Sequence, residues 1–226
     1  VKDLENIDPT GPDDPHREAG DRFYPESDGK PMADNTKQFR FITTLKNGFD
    51  ALYLNQDDVF VAGDLLWYPV KGDNKIRYAP DVMIALGRPK GDRGSYLQWE
   101  ENDQPPNVVF EILSPGNTRP EMREKLAAYD RYGVDEYYEY DPDRGELRGW
   151  LRDPAARELI AITDMDHWQS PATGVTLHLE GADLVVVRPD GNRFLDSEAI
   201  ARQAEETEAL NRRLIAQLQK AGIEPE

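Results

Sequence analysis

The sequence predicts an α/β fold with a mixed central sheet, added β-hairpins and a C-terminal helix. Three observations predict this class. Residues 108–113 form an apolar segment, 121–132 carry a helical stripe and 135–140 resemble a strand again, and this strand, helix, strand order implies a parallel crossover. Short strand-like segments separated by turns fill residues 146–188 and indicate hairpins. Residues 197–221 predict a final long helix.

Composition limits the protein class. The chain has 226 residues, 38% of them hydrophobic and 31% charged, which suits one sizeable domain with a core of ordinary size. No apolar stretch approaches the ~20 residues that span a bilayer, and no apolar segment follows the N-terminus. The absence of cysteine excludes disulfides, thiolate metal sites and a cysteine nucleophile. We therefore expect a cytoplasmic protein without a membrane segment.

The formal net charge of −17 bears on the choice of partner. A protein that binds nucleic acid through its whole surface should be basic. This acidity counts against such binding, but it leaves open a local basic groove or a site that brings divalent cations to a phosphate. Two basic groups could contact phosphates, although a solvated surface explains each group as well: Lys37, Arg40 and Lys46, then Arg88, Lys90 and Arg93.

The chain divides into three parts. Residues 1–22 are rich in Pro, Asp and Gly and predict a flexible arm. Residues 23–195 form the expected domain, and 196–226 form a helical tail. Apolar residues of the tail are only partly in heptad register, so it is either an exposed helix or a dimer coiled coil, which makes a homodimer one expectation: they include Ile200, Leu210, Leu214 and Leu218.

Local patterns place the remaining elements in order. Apolar spacings of three and four predict a helix over 35–54, with Asp34 or Asn35 as its cap. Strand-like segments follow at 59–63 and 80–86, and the polar residues 87–106 indicate a loop. Gly133 ends the helix at 121–132. Later strands are predicted at 147–151, 159–162, 175–179 and 184–187.

Three residues could carry chemistry. Glu111 interrupts the most apolar segment of the chain, where an unpaired charge would cost several kcal/mol, so it needs a cationic partner or a metal ion. Asp81 follows Pro80 at the start of another strand and could converge with Glu111 on one cation. Lys125 lies in the helix that follows Glu111 and could point at both carboxylates, with Tyr129 on the same helix face.

These residues carry a family resemblance. Pro80-Asp81, the segment 108–118, the pair Lys125 and Tyr129, and the segment 133–142 together resemble the large bacterial Uma2-like family of putative restriction endonucleases. That family belongs to the PD-(D/E)XK nuclease superfamily, and the resemblance runs from about residue 23 to 189. It implies a restriction-endonuclease-like α/β/α core, a divalent metal, Mg²⁺ or Mn²⁺, and hydrolysis of DNA phosphodiester bonds.

The resemblance also implies roles for single residues. Asp81 and Glu111 would bind the metal, with the carbonyl of Ile112 as a third ligand. The superfamily pattern places a lysine where this chain has Leu113, and the family supplies the lysine from the next helix, here Lys125. Further candidates are the acidic residues Glu26 and Asp64 and the helical Tyr129.

Two other interpretations of the sequence remain open. The chain could be a catalytically inactive protein with a nuclease fold that serves in binding or assembly, which the acidic surface and the missing strand lysine favour. Glu111 and Lys125 could also form a buried ion pair and nothing more.

Overall fold

A computed structural model describes residues 23–29 and 31–220 of the chain. The predicted arm at 1–22 and the end of the tail lie outside the described residues. Within the described ranges there are three α-helices: α1 Thr36–Leu52, α2 Arg119–Tyr132 and α3 Ser197–Lys220. Eleven strands lie among the described residues: β1 Val59–Gly63, β2 Trp67–Tyr68, β3 Val82–Leu86, β4 Tyr96–Leu97, β5 Val108–Ile112, β6 Glu136–Asp141, β7 Glu146–Arg152, β8 Leu159–Ala161, β9 Trp168–Gln169, β10 Thr176–Glu180 and β11 Asp183–Val187.

The central sheet has six strands in the order β1-β3-β5-β6-β7-β8. Only the β5–β6 pair, which α2 connects, is parallel, and the other neighbours are antiparallel. This confirms the predicted mixed sheet and its single crossover.

Layers cover both faces of this sheet. Residues alternate between faces along a strand, so Phe110 and Ile112 of β5 point to one side and Val109 to the other. The Phe110 side packs against α1 and against the sheet β9–β11. The Val109 side packs against α2 and against the short parallel pair β2–β4. Glu111 shares the Val109 face, so α2 covers it.

Local sequence explains where the two packed helices begin and end. The side chain of Asn35 accepts a hydrogen bond from the backbone N–H of Gln38 and caps α1. A reciprocal capping box between Thr118 and Glu121 starts α2. Gly133 ends α2 with a φ of 93°, a left-handed conformation that glycine adopts without steric cost. These signals fix where α1 and α2 begin and where α2 ends.

Three expectations need correction. The segment 87–106 is not a plain loop, because it contains β4 and a 3₁₀ turn at Gln98–Glu100. Helix α2 begins two residues earlier than predicted, since the Thr118 cap precedes Pro120. The hairpins at 146–188 split: β7 and β8 extend the central sheet, whereas β9–β11 form a separate one.

Helix α3 buries none of its residues. The division into a domain at 23–195 and a tail stays a prediction. Within the part of the chain that the structure describes, no helix is both long and apolar enough to cross a membrane.

Candidate active site

Four acidic residues line up across the face of the central sheet that α2 covers. The β5–β6 register pairs Glu111 with Glu139. The β3–β5 register pairs Val82 with Phe110, so Asp81 stands opposite Glu111 one step further on. The β1–β3 register ends at Gly63 and Val82, so Asp64 stands beside Asp81 in the same way. We call Asp64, Asp81, Glu111 and Glu139 the acidic row.

Glu111 lies near the middle of the acidic row and is only 3% exposed. Lys125 Nζ lies 2.8 Å from its Oε2 atom, and the Tyr129 hydroxyl donates to its Oε1 atom. Both donors come from α2, one helical turn apart, so the crossover helix presents them together to the strand that precedes it. The carboxylate of Glu111, unusual in an apolar strand, is therefore compensated by the ammonium group of Lys125 and the hydroxyl of Tyr129.

Asp81 is tied to the next strand. Its Oδ2 atom accepts a hydrogen bond of 2.6 Å from the backbone N–H of Ile112. Its Oδ1 atom accepts none from the described residues. Burial, and then the charge of Glu111, raise the pKa of Asp81 well above its ordinary value, although the Ile112 N–H and Lys125 oppose the shift. Two facing carboxylates thus interact with the charge of one ammonium group, which contacts Glu111 and no other acid among the described residues.

Lys125 stays a cation in this setting. Its side chain is 23% exposed. Burial lowers the pKa of Lys125, but the charge of Glu111 and the hydrogen bond to it more than offset that effect, and Asp81 adds to them. The net pKa lies above the ordinary value for lysine. The ammonium group is therefore charged at neutral pH and is held by the carboxylate of Glu111.

The donor set of this site suits a hard divalent cation. Carboxylate oxygens are the ligands that Mg²⁺ prefers, and it is commonly held by one or two carboxylates together with water and substrate phosphates. Asp81 Oδ1 has no hydrogen-bond donor among the described residues, and each oxygen of Glu111 has a second lone pair. No group of three or more His, Asp or Glu residues within 23–29 and 31–220 is arranged to hold a metal ion. Asp81 and Glu111 thus stay a pair of candidate ligands rather than part of a larger cluster among the described residues.

The carbonyl of Ile112 has a partner of its own. It accepts a hydrogen bond of 2.8 Å from Nε2 of Gln38 on α1. A metal ion bound there would share this oxygen with Gln38.

The additional acidic candidates occupy different places. Asp64 adjoins Asp81: its backbone N–H donates to the Asp81 carbonyl at 3.3 Å. Burial, then the charges of Asp28 and Glu111, raise its pKa. The carboxyl group of Glu26 packs against Gly94, in the space that a β-carbon at position 94 would occupy. Asp28, in the N-terminal segment, therefore acts on the acidic row through its charge, which raises the pKa of Asp64.

Glu139 is the member of the acidic row that sequence reasoning missed. It is 5% exposed, and Tyr137 donates to its Oε1 atom at 2.8 Å. Burial raises the pKa of Glu139; Tyr137 and Arg148 oppose this rise and Glu111 adds to it. The signal was present, because Glu139 stands between two tyrosines in a buried strand much as Glu111 stands in its own.

The basic groups considered from sequence are engaged within the protein. Lys37 pairs with Asp143, Lys46 with Asp50 and Arg93 with Glu101. Lys90 donates to the carbonyls of Tyr53 and Leu54, Arg40 lies 3.9 Å from Asp183 and from Asp196, and Arg88 donates to the carbonyl of Gly87.

The chain is similar to known proteins both in sequence and in fold. A solved structure of a putative nuclease belonging to DUF820 from Anabaena variabilis ATCC 29413 is similar at a TM-score of 0.47 and 15% identity, covering 66% of this chain and 82% of the other. No curated protein matches the sequence. The model of the Uma2 family, described as "Putative restriction endonuclease", matches residues 24–182, more than half of the chain. The chain therefore belongs to the Uma2 family.

Proposed function

We propose that this protein is a metal-dependent endonuclease that hydrolyses DNA phosphodiester bonds at Asp81, Glu111 and Lys125. One observation carries the proposal: Lys125 of α2 lies 2.8 Å from Glu111, and Glu111 faces Asp81 in the acidic row. A buried carboxylate pair with a single ammonium group, which contacts only one of the two acids among the described residues, brings no folding advantage, since apolar residues of similar volume commonly stabilise a core as well or better. The family description supports a nuclease activity.

The chain's residues would divide the work. Asp81 and Glu111 would hold Mg²⁺ or Mn²⁺, which when bound lowers the pKa of a water molecule and neutralises charge on the scissile phosphate. Lys125 would stabilise the charge that develops on the phosphorane-like transition state, because its ammonium group is already fixed in place. Tyr129 would keep the Glu111 carboxylate oriented through its hydroxyl.

A second candidate function has one observation in its favour. Both oxygens of Glu111 already accept a hydrogen bond, from Lys125 and from Tyr129. A nuclease-fold protein that has lost catalysis and acts in binding or assembly would keep this ion pair as a structural contact.

Plasmid cleavage separates these two functions. Supercoiled plasmid is incubated with the wild type, Asp81→Ala, Glu111→Ala and the exposed-site control Glu124→Ala, each with Mg²⁺, Mn²⁺ or EDTA. We expect nicked or linear DNA only from the wild type and the control, and only with metal. Equal behaviour of all four proteins would contradict the proposal and leave the binding function.

A further inference from the structure

A cavity of about 610 Å³ opens beside Glu139, at the N-terminal end of α2. The loop after β5, the first two turns of α2, the end of β6 and strand β7 surround it. Glu139 belongs both to the cavity wall and to the acidic row, so the cavity adjoins the candidate active site. Its volume lies within the range of small-molecule sites and can hold one nucleotide.

The cavity has an apolar side. Met122 and Leu126 of α2 lie one turn apart and line it together with Leu113 and Trp150. The Trp150 ring stacks on Tyr137, with centroids 5.1 Å apart, which holds its orientation. Aromatic and apolar surfaces of this kind accept nucleobases of any sequence by stacking.

The cavity also has a cationic side. Arg119, Arg123, Arg144 and Arg148 line it, although the chain as a whole carries a net charge of −17. Arg144 lies 3.6 Å from Asp141 and Arg148 lies 2.6 Å from Glu146. Both arginines of these pairs are more than half exposed, and exposed ion pairs contribute little to stability.

Two of these arginines have no acidic partner among the described residues. Arg119 and Arg123 are exposed and lie one turn apart on α2, at the end of the helix where the backbone N–H groups carry partial positive charge. Asp143, the remaining aspartate of the wall, is paired with Lys37 instead. Glu139 is the one acid of the wall without an ion pair among the described residues, so Arg119 and Arg123 still leave a small positive excess at the cavity mouth.

We infer that this cavity binds one nucleotide of the nucleic-acid strand next to the scissile phosphate, with its base on Trp150 and Met122 and its phosphates on Arg119 and Arg123. The inference rests on the proposed function and gives it a strand path. A strand that occupies the cavity passes Glu139 and places the following phosphate over Asp81 and Glu111. The acidic surface elsewhere then repels DNA, and the strand is guided to this one basic mouth.

Binding tests this inference without cleavage. Fluorescence anisotropy with a labelled 12-nucleotide DNA strand, in EDTA, gives the Kd of the wild type, of Arg119→Gln/Arg123→Gln and of the matched control Arg202→Gln/Arg212→Gln, whose exposed arginines lie on α3. We expect the Kd of the cavity variant to rise on the order of tenfold, and its salt dependence to fall by about 1.4 in log–log slope, since each lost phosphate contact accounts for about 0.7. The control should match the wild type.

A second arm tests the base contact. An abasic strand of the same length keeps the phosphates and lacks the bases, so it should bind the wild type several-fold more weakly than the normal strand. Equal affinity of the two strands would overturn the base contact.

The outcomes separate this inference from the proposed function. A wild type that binds through Arg119 and Arg123 but never cleaves DNA would contradict the endonuclease and support the cavity. A wild type that cleaves, with both arginine variants equally affected in binding, would overturn the cavity and leave the endonuclease. A wild type that does not bind the strand would overturn the cavity as well.

Discussion

The ammonium group of Lys125 lies 2.8 Å from Oε2 of Glu111, although 14 positions separate the two residues in the chain. Strand β5 carries Glu111. Helix α2 crosses back over that strand and carries Lys125. The position Leu113, two residues after Glu111, offers no ammonium group on the strand itself. Helix α2, which covers this face of the sheet, therefore supplies the positive charge that strand β5 lacks.

The first prediction concerns this lysine. Lys125→Met should lower kcat for plasmid cleavage by about 10²–10³-fold, the usual effect of removing one preorganised charge from a transition state, and should change KM far less. Lys125→Arg keeps the charge and should recover part of kcat. A purely structural lysine would instead leave the kcat of the folded Lys125→Met fraction unchanged, so urea titrations of both variants should accompany the kinetics.

The second prediction concerns the hydroxyl that orients Glu111. Tyr129→Phe removes a buried donor and leaves one oxygen of Glu111 without that partner, which should lower the free energy of unfolding by about 1–3 kcal/mol. Tyr132→Phe is the matched control on the same helix, because no hydrogen bond of its hydroxyl is found among the described residues, and it should change stability by less than about 0.5 kcal/mol. Similar losses in urea denaturation for the two variants would show that the Tyr129 hydroxyl does not support Glu111.

The third prediction is a pH dependence from Glu136, which lies away from the acidic row on the opposite face of the sheet. Its carboxylate is 1% exposed. It accepts hydrogen bonds from Ser170 and Tyr138 and from the backbone N–H of Ala172. Burial, the largest effect, raises the pKa of Glu136 despite these donors.

The sign of the effect follows from linkage. An acid whose pKa is higher in the folded state binds more protons there than in the unfolded state, so its contribution to stability is complete below the unfolded pKa and is lost as pH rises through the folded pKa. Urea titrations from pH 4 upward should therefore show that the stability of Glu136→Gln, relative to the wild type, improves as pH rises. The exposed control Glu124→Gln should show no such trend, and a flat difference for Glu136→Gln would refute the prediction.

How far the sequence predicts this site depends on whether contacts are local. Alternation along β5 predicts that Glu111 lies on the Val109 face, and the helix that follows β5 is expected to turn Lys125 and Tyr129 toward it. Both side chains contact Glu111, whereas no contact of Lys125 with Asp81 is found among the described residues. The helix ends are equally local: Gly133 was predicted, and Asn35 is one of the two caps that the sequence offered. These features need only the strand period, the helix period and the handedness of one connection.

Features that depend on register could not be predicted in the same way. Glu139 joins the acidic row only because β6 pairs with β5 in one particular register. Asp28 reaches Asp64 through the fold of the N-terminal segment, and β4 lies hidden in a polar segment because its partner β2 is distant in the chain. Single-sequence patterns carry no information on such long-range pairings.

The last prediction concerns α3, whose apolar residues are exposed on a 24-residue helix. Leu210 is 55% exposed and Leu214 47% exposed, and with Ile200 they follow the spacing of a coiled-coil seam. We expect the full chain to form a dimer of twice 25.7 kDa in light scattering. Leu210→Glu/Leu214→Glu, and truncation after Leu195, should give monomers because both remove the seam. Ala209→Glu/Ala216→Glu adds the same charges to another face of α3 and should remain dimeric. A full chain that is already monomeric, or the same number of chains per particle in all four proteins, would contradict pairing through α3.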